Sequence, residues 1–382
     1  MREASAYRRA PHLVAYWKDG TPVVRNFATG AAVAVPASLV EILQYFERWR
    51  GAEEFAAHLD VTRPAADRLL ARLTRMTLLQ TSDSPRSRVD EALDRWGTWN
   101  PVAGFFHMST RDVRFVDPIE GDNALRRKAR RVPLPATVKR YRGAPRHPLP
   151  PIEATGEFPR VLLGRRTWRQ FGSDPMTQTE LGSLLGLTGG IQHWAHLRGQ
   201  GDLPLKTSPS GGARHPIELY VCVRHVAGLQ PGLYHYDGDR HRLERLAKHA
   251  RPIRVQRYLP TQFWYSRAAI VVFFSAVFAR YLWKYDYPRA YRAVLIEAGH
   301  QCQTFCLVAE WLGLAPFCSM ALADSRIEQD LGLDGVSESV LYAAGAGSRP
   351  SGALAAASKP SGFPRLKTRA NPRLLARSSD DG

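Results

Sequence analysis

The chain has 382 residues, enough for two or three domains with a sizeable core, and 44% of them are hydrophobic, the balance of a globular protein. Its formal net charge of +18 attracts polyanions: nucleic acid, anionic membrane, acidic peptides or phosphates. Much of that excess lies in two apparent linkers, 126–146 and the stretch after Gly347, which favours a solvated basic surface over a dedicated DNA groove. The four cysteines, Cys222, Cys302, Cys306 and Cys318, show no disulfide-framework spacing, so a reducing cytoplasm is the expected compartment. Cys302 and Cys306 stand one helical turn apart near His300, but no CxxC or HxxxH pair accompanies them. Packing on a helix face is therefore expected, and no metal. The start, MREASAYRRAPH, lacks the apolar core of a secretory signal. The most apolar run, 268–279, is too short to cross a bilayer as a helix and reads as a buried strand, so no membrane partner is expected.

Residues 10–83 read as a small winged-helix-like module. Stretches 12–17 and 23–27 are strand candidates joined at Asp19-Gly20, a hairpin signal. Pro36 opens a helix in which Leu39, Ile42, Leu43, Phe46 and Trp49 recur at helical spacing, and Gly51 ends it. A short helix follows over 53–59. A turn at Asp60-Val61 then leads to a third helix from Arg63-Pro64 through Met76, with Thr62 as its cap. Residues 77–81 return as a strand. Helix, turn, helix, strand is the winged-helix order. Arg68, Arg72 and Arg75 share an exposed face of the third helix, which suits DNA or a docking surface.

Residues 84–157 form a connector rich in Pro and Arg. It has one helical patch, 87–96, and an aromatic cluster, Trp96, Trp99, Phe105 and Phe106. Its length marks a wrapping arm or lid rather than free coil. Prolines in its basic run, 126–147, exclude a continuous helix there.

The largest part spans 158–350. An amphipathic helix over 180–187 ends at Gly189-Gly190. Stretches 217–223 and 232–236 alternate as strands, 254–263 is helix-like, and 268–275 is a central strand. A long helix over 291–314 is closed by Gly313, and 340–344 is a last strand. Strands interspersed with long helices, without regular βαβ periodicity, predict an α+β fold rather than a Rossmann fold. Gly345-Ala346-Gly347 leads into Ser348-Arg349-Pro350 and opens no helix, so it is not a dinucleotide fingerprint. The basic tail, 351–382, is rich in Ser, Pro, Ala and Arg and is expected to be disordered.

Two stretches of this part carry chemistry. Arg165, Arg166 and Arg169 beside Thr167 supply clustered guanidinium forks and a hydroxyl, a set suited to a phosphate monoester. Ser208, Pro209, Ser210 and Gly211 begin a loop of small residues, through which backbone N–H groups can approach a flat polar ring. GLYHYD (232–237), WKYDYPRAYR (283–292), LIEAGHQCQTFCLVAEWLGL (295–314) and LYAAGAG (341–347) follow in order. With these blocks the chain resembles the SagB-type (azoline oxidase) dehydrogenases of the nitroreductase superfamily, and most closely their peptide maturation dehydrogenases. The resemblance covers about half the chain.

That resemblance implies a nitroreductase-like FMN fold, with a central, mostly antiparallel sheet and long helices, preceded by a small winged-helix-like domain. It implies a homodimer with FMN at its interface. Arg165, Arg166, Thr167 and Arg169 would hold the FMN phosphate and ribityl chain, and Ser208, Pro209, Ser210 and Gly211 would line the isoalloxazine edge. Gly345, Gly347 and Arg349 would return to the phosphate side. Lys284 and Tyr285 match the family's catalytic Lys-Tyr pair. The residues alone also allow a surface turn with Lys284 paired to Asp286. His300 reads as a core histidine or as a neighbour of the site.

Azoline oxidation removes a proton and a hydride from adjacent carbons. FMN N5 would take the hydride, and a desolvated lysine, or a tyrosine beside a cation, is a reasonable base for the proton. The implied partners are a precursor peptide, docked on 10–83 in preference to DNA, and maturation enzymes such as a cyclodehydratase. Nucleic acid is not the expected partner. Two other functions remain open: an NAD(P)H-dependent nitro- or quinone reductase, and a DNA-binding regulator with a flavin-sensing half. The chain departs from the better-known azoline oxidases in its basic connector and in having no fused cyclodehydratase or ATP-binding segment. Those departures leave the substrate open.

Overall fold

The structure, a computed structural model, describes residues 5–133, 135–139, 148–150, 152, 154–246 and 257–351. The tail, much of the connector's basic run and the first part of the helix expected over 254–263 lie outside the described residues. The chain forms two compact units. The first comprises Met1–Arg111, Val277–Leu295 and Leu333–Ser339; the second comprises Asp112–Ala276, Ile296–Gly332 and Val340–Gly382.

The first unit opens with strands β1 (Tyr7–Arg9), β2 (Leu13–Lys18), β3 (Thr21–Asn26) and β4 (Ala32–Ala34). Helices α1 (Ser38–Tyr45), α2 (Ala52–Leu59) and α3 (Arg63–Arg75) follow, then β5 (Leu79–Thr81), α4 (Arg88–Asp94) and α5 (Val102–Thr110). β2, β3 and β4 make an antiparallel meander, and β1 pairs with β5. Asp19 (φ 50°) and Gly20 (φ 77°) both take left-handed backbone, as a two-residue hairpin turn requires. The helices bury Leu39, Leu43, Phe46, Phe55, Leu70 and Leu73 in one core. Thr62 does not cap α3 with its side chain as expected; Pro64, in the first turn and without an N–H, starts that helix instead.

The aromatic stretch of the connector packs into the core of the first unit. Trp96 and Trp99 are buried and pack against Phe278 and Tyr291. Trp96 Nε1 donates to the Val336 carbonyl at 3.0 Å. Phe106, by contrast, is exposed. Helix α5 was not legible because Pro101 and Gly104 interrupt its helical signal. It carries His107, which is buried: Nδ1 accepts from Tyr291 Oη at 2.8 Å and Nε2 donates to the Gly335 carbonyl at 2.9 Å, the tautomer those partners require.

The second unit holds α6 (Pro118–Ala129), α7 (Glu157–Gly164), α8 (Gln178–Gly189) and an exposed hairpin, β6 (His193–Leu197) with β7 (Gly201–Leu205). Then come β8 (Ile217–Val223), β9 (Gly232–Asp237), β10 (Arg242–Arg245) and β11 (Ile270–Val277). After the short α9 (Ala279–Leu282), which belongs to the first unit, α10 (Ala290–Trp311) contributes residues to both units. β12 (Ala315–Ser319), α11 (Asp324–Leu331) and β13 (Glu338–Gly347) complete the chain. Six strands form one sheet in the order β10-β9-β8-β11-β13-β12. β10/β9, β9/β8, β8/β11 and β12/β13 are antiparallel. The fold is therefore α+β around a large antiparallel sheet.

β8 and β11 are almost wholly buried apolar runs, which is why they were legible. β10 and β12 end the sheet; charge in one and Pro316 in the other are tolerable at an edge and erase the strand signal. α6 runs into the basic stretch as far as Ala129 because Asp117 caps it, accepting from the N–H groups of Ile119 (2.8 Å) and Glu120 (3.3 Å). The helix expected over 254–263 is not α-helical in its described part. Pro260, followed by Thr261 at φ 64°, breaks it, and a 3-10 turn covers Phe263–Arg267. Among the described residues, no helix is long and apolar enough to cross a membrane.

Two predictions follow from this packing. Burial pushes the His107 imidazole down to about 4, against the raising effect of its bond to Gly335, so it folds neutral. The unfolded chain takes up that proton first, so stability should fall as pH drops from about 6.5 toward 4. Urea midpoints against pH should show this slope, and His107→Gln should flatten it. Gly345 on β13 faces Phe317 on β12, and a Cβ there would lie 2.5 Å from the Phe317 ring and 2.6 Å from the Ile270 carbonyl oxygen. Gly345→Ala should cost roughly 1–3 kcal/mol by denaturant unfolding.

Candidate active site

Arg165 follows the last residue of α7. Arg166 turns back on that helix: Nη1 donates to the carbonyls of Leu163 (2.8 Å) and Arg165 (2.7 Å), which closes the helix end. The Arg169 guanidinium lies over the Trp264 ring at 5.5 Å, and Thr167 is half-buried. Two backbone bonds hold this stretch to the end of the sheet. The Trp168 N–H donates to the Pro316 carbonyl at 2.9 Å, and that of Gly172 to the Ser348 carbonyl at 2.8 Å.

Arg349 meets the same stretch. Its guanidinium lies 5.2 Å over the Trp168 ring, donates through Nε to the Leu314 carbonyl at 2.9 Å, and pairs with Glu310 at 2.8 Å. The arginine segment and the residues after β13 are thus brought together. Gly345 and Gly347 are buried, and protein fills the space beside each. A Cβ at Gly347 would meet Phe171 at 3.1 Å and the Ala269 nitrogen at 3.2 Å. Close packing explains both glycines.

The loop is anchored on α10. Ser208 is buried with its Oγ 2.8 Å from Thr304 Oγ1. The Gly211 N–H donates to Glu297 Oε1 at 2.9 Å, and Ser210 Oγ accepts from the His215 N–H at 2.8 Å. Pro209 is exposed. Gly212 (φ 60°), Ala213 (φ 54°) and His215 (φ 42°) all take left-handed backbone. For the two non-glycines this costs about 1–3 kcal/mol each, strain of the kind that gathers at functional sites and that the surrounding bonds must hold. Glu297, Thr304 and Glu310 all lie on α10. At about 1.5 Å rise per residue, the anchors of the loop and of Arg349 are about 10–20 Å apart along it.

Lys284 and Tyr285 lie on the turn after α9, in the first unit, whereas the arginines and the loop belong to the second. Both are half-buried, with Lys284 Nζ 5.7 Å from the centre of the Tyr285 ring. The Tyr285 carbonyl accepts from Trp99 Nε1 at 2.9 Å. His300 is exposed, so it is not a core histidine; its place on α10 faces solvent. The sequence did not identify Glu297, Thr304 or Glu310. The only signal was two glutamates within a mostly apolar helix, and one of them, Glu297, is buried. Nor did it identify Cys318 as a neighbour of Cys302 and Cys306, whose sulfurs it joins.

The donor set fits a flavin mononucleotide. Residues 165–169 offer guanidinium groups and a hydroxyl, of the kind that suit its phosphate, and 208–215 form a strained loop of mostly small residues anchored on α10, of the kind that suits its ring. Buried polar atoms without a hydrogen-bond partner occur in both parts: Trp168 Nε1 in the arginine segment, and Gln301 Oε1 on α10 between Glu297 and Thr304.

Residues 162–348 match the Nitroreductase family. A protein of Methanocaldococcus jannaschii named as a nitroreductase is 33% identical over 183 residues, which are 48% of this chain and 87% of that protein. The trifolitoxin-processing protein TfxB of Rhizobium leguminosarum bv. trifolii is 33% identical over 142 residues, 36% of this chain and 38% of TfxB. The microcin B17-processing protein McbC of Escherichia coli is 30% identical over 141 residues, 33% of this chain and 48% of McbC. The match therefore spans less than half of either peptide-processing relative. On the family match and the likeness to the archaeal protein, the chain belongs to the nitroreductase family.

Proposed function

We propose that this chain is an FMN-dependent dehydrogenase of ribosomal peptide maturation, which oxidises azoline rings to azoles. The observation that carries this reading is the pairing on one helix: α10 anchors a strained small-residue loop and, two to four turns away, the partner of Arg349. The likeness to two peptide-processing proteins supports peptide maturation, and azoline oxidation within it is our reading.

In this reading Arg165, Arg166, Arg169 and Arg349 hold the dianionic phosphate, with Thr167 as a hydroxyl donor. Ser208, Pro209 and Ser210 flank the ring edge. The Gly211 N–H is committed to Glu297, so this glycine shapes the loop. Gly345 and Gly347 act through backbone and close packing. Bound FMN supplies a two-electron acceptor for hydride, with O2 as the final oxidant. The azoline ring loses that hydride and one proton from the adjacent carbon, which leaves the new double bond. Lys284 takes the proton, and Tyr285 beside it completes the pair. The protein acts as a homodimer beside a cyclodehydratase.

Residues 10–83 form a winged-helix-like docking domain for the precursor peptide. In the first unit, Arg8, Arg9, Trp49 and Arg86 help line a cleft of about 610 Å³ that runs beside β1 and β5. Glu47 and Asp94 also line it, so it carries both charges with a small cationic excess, and a cleft along a strand pair suits a leader segment added as a further strand.

Lys284→Ala should keep its flavin and lose about 100-fold or more in turnover of an azoline-containing peptide. A variant that loses the flavin as well would make Lys284 structural. Rapid bleaching by NADPH, without any peptide oxidation, would replace this reading with the nitro- or quinone reductase that the archaeal relative's name favours.

A further inference from the structure

We propose that Cys302, Cys306 and Cys318 form a three-thiolate site for one divalent cation of the zinc class. The inference is independent of the flavin reading. Two of the ligands follow from helix geometry: residues four apart on α10 lie on one face, one turn apart. The third comes from β12, the strand that ends the sheet. The three sulfurs lie within 4.8 Å of one another, and among the described residues this is the one group of three side chains so placed to ligate a metal.

The spacing fits the chemistry. Zinc–thiolate bonds of about 2.3 Å at tetrahedral angles put sulfurs about 3.8 Å apart, so closure needs shifts of at most about 1 Å. Cys302 and Cys306 are buried while Cys318 is half-buried, so the cluster is not wholly sealed from solvent. Tyr342 Oη donates to Cys318 Sγ at 3.5 Å, the type of outer hydrogen bond that orients a thiolate ligand. Three thiolates and a divalent cation carry one net negative charge. A monovalent cation would leave two negative charges in the same half-buried place. The fourth cysteine, Cys222, is buried on β8 outside the cluster and serves as an internal control.

The same three residues could instead be neutral thiols packed as small apolar groups. Cobalt titration separates the two. The whole purified chain is reduced, stripped with a chelator and titrated with Co2+. One equivalent should bind with a thiolate-to-cobalt charge-transfer band, and Zn2+ should bleach that band. Cys318→Ser should weaken binding by about tenfold or more, and Cys222→Ser should leave it unchanged. No band in the unsubstituted chain would overturn the site, as would cobalt affinity and a band unchanged in Cys318→Ser. Isolation of the chain with a disulfide within the cluster, and no metal uptake after reduction, would overturn it in favour of a redox pair. If a cysteine variant fails to fold, the titration of the unsubstituted chain still decides.

Discussion

Glu297 is a carboxylate almost wholly removed from solvent, and it accepts the Gly211 N–H at 2.9 Å. A buried carboxyl group needs hydrogen-bond partners, and this one binds the backbone of the loop to helix α10. The loop then adopts a path that its own residues resist, with Ala213 and His215 in left-handed backbone. Thr304, two turns further along the helix, holds the buried Ser208 of the same loop. Glu310 binds Arg349, which in turn covers Trp168 in the arginine segment. Three stretches distant in sequence, 165–169, 208–215 and the residues after β13, are thus fixed by contacts to one helix or to one another.

Charge separates into two populations once the partners are known. Among the described residues, a few of the 53 cations sit in exposed ion pairs, such as Arg86 with Asp94 and Arg126 with Asp122, and those pairs add nothing to the net +18. Exposed pairs contribute about 0–1 kcal/mol each and carry no specificity. Arg349 differs: it is half-buried, stacked on an indole and paired with a glutamate that is itself largely buried. Net charge alone does not distinguish such an arginine from its solvated neighbours, but its partners do.

What was legible in the sequence is what has a local cause. The alternation and apolarity of β8 and β11, the apolar stripe of α10 and the Asp19-Gly20 turn each report the structure of their own segment. The sheet edges were illegible because an edge strand tolerates charge and proline. The site was half legible. The arginine cluster and the small-residue loop have composition signals, and the family resemblance ordered them. Their anchors do not: Glu297 and Gly211 are 86 residues apart, and nothing near either one announces the other. Cys318 escaped for the same reason, since helix periodicity links Cys302 to Cys306 but cannot reach the next strand. Trp96 and Trp99 were visible as a cluster, yet only the packing with Phe278 and Tyr291 makes them core.

The most direct measurement is the visible absorption spectrum of the purified chain, followed by identification of the small molecule that heat releases from it. A flavin spectrum with FMN as the released compound is the predicted result. A colourless protein that also fails to take up added FMN would contradict the assignment of the arginine segment and the anchored loop as a flavin site.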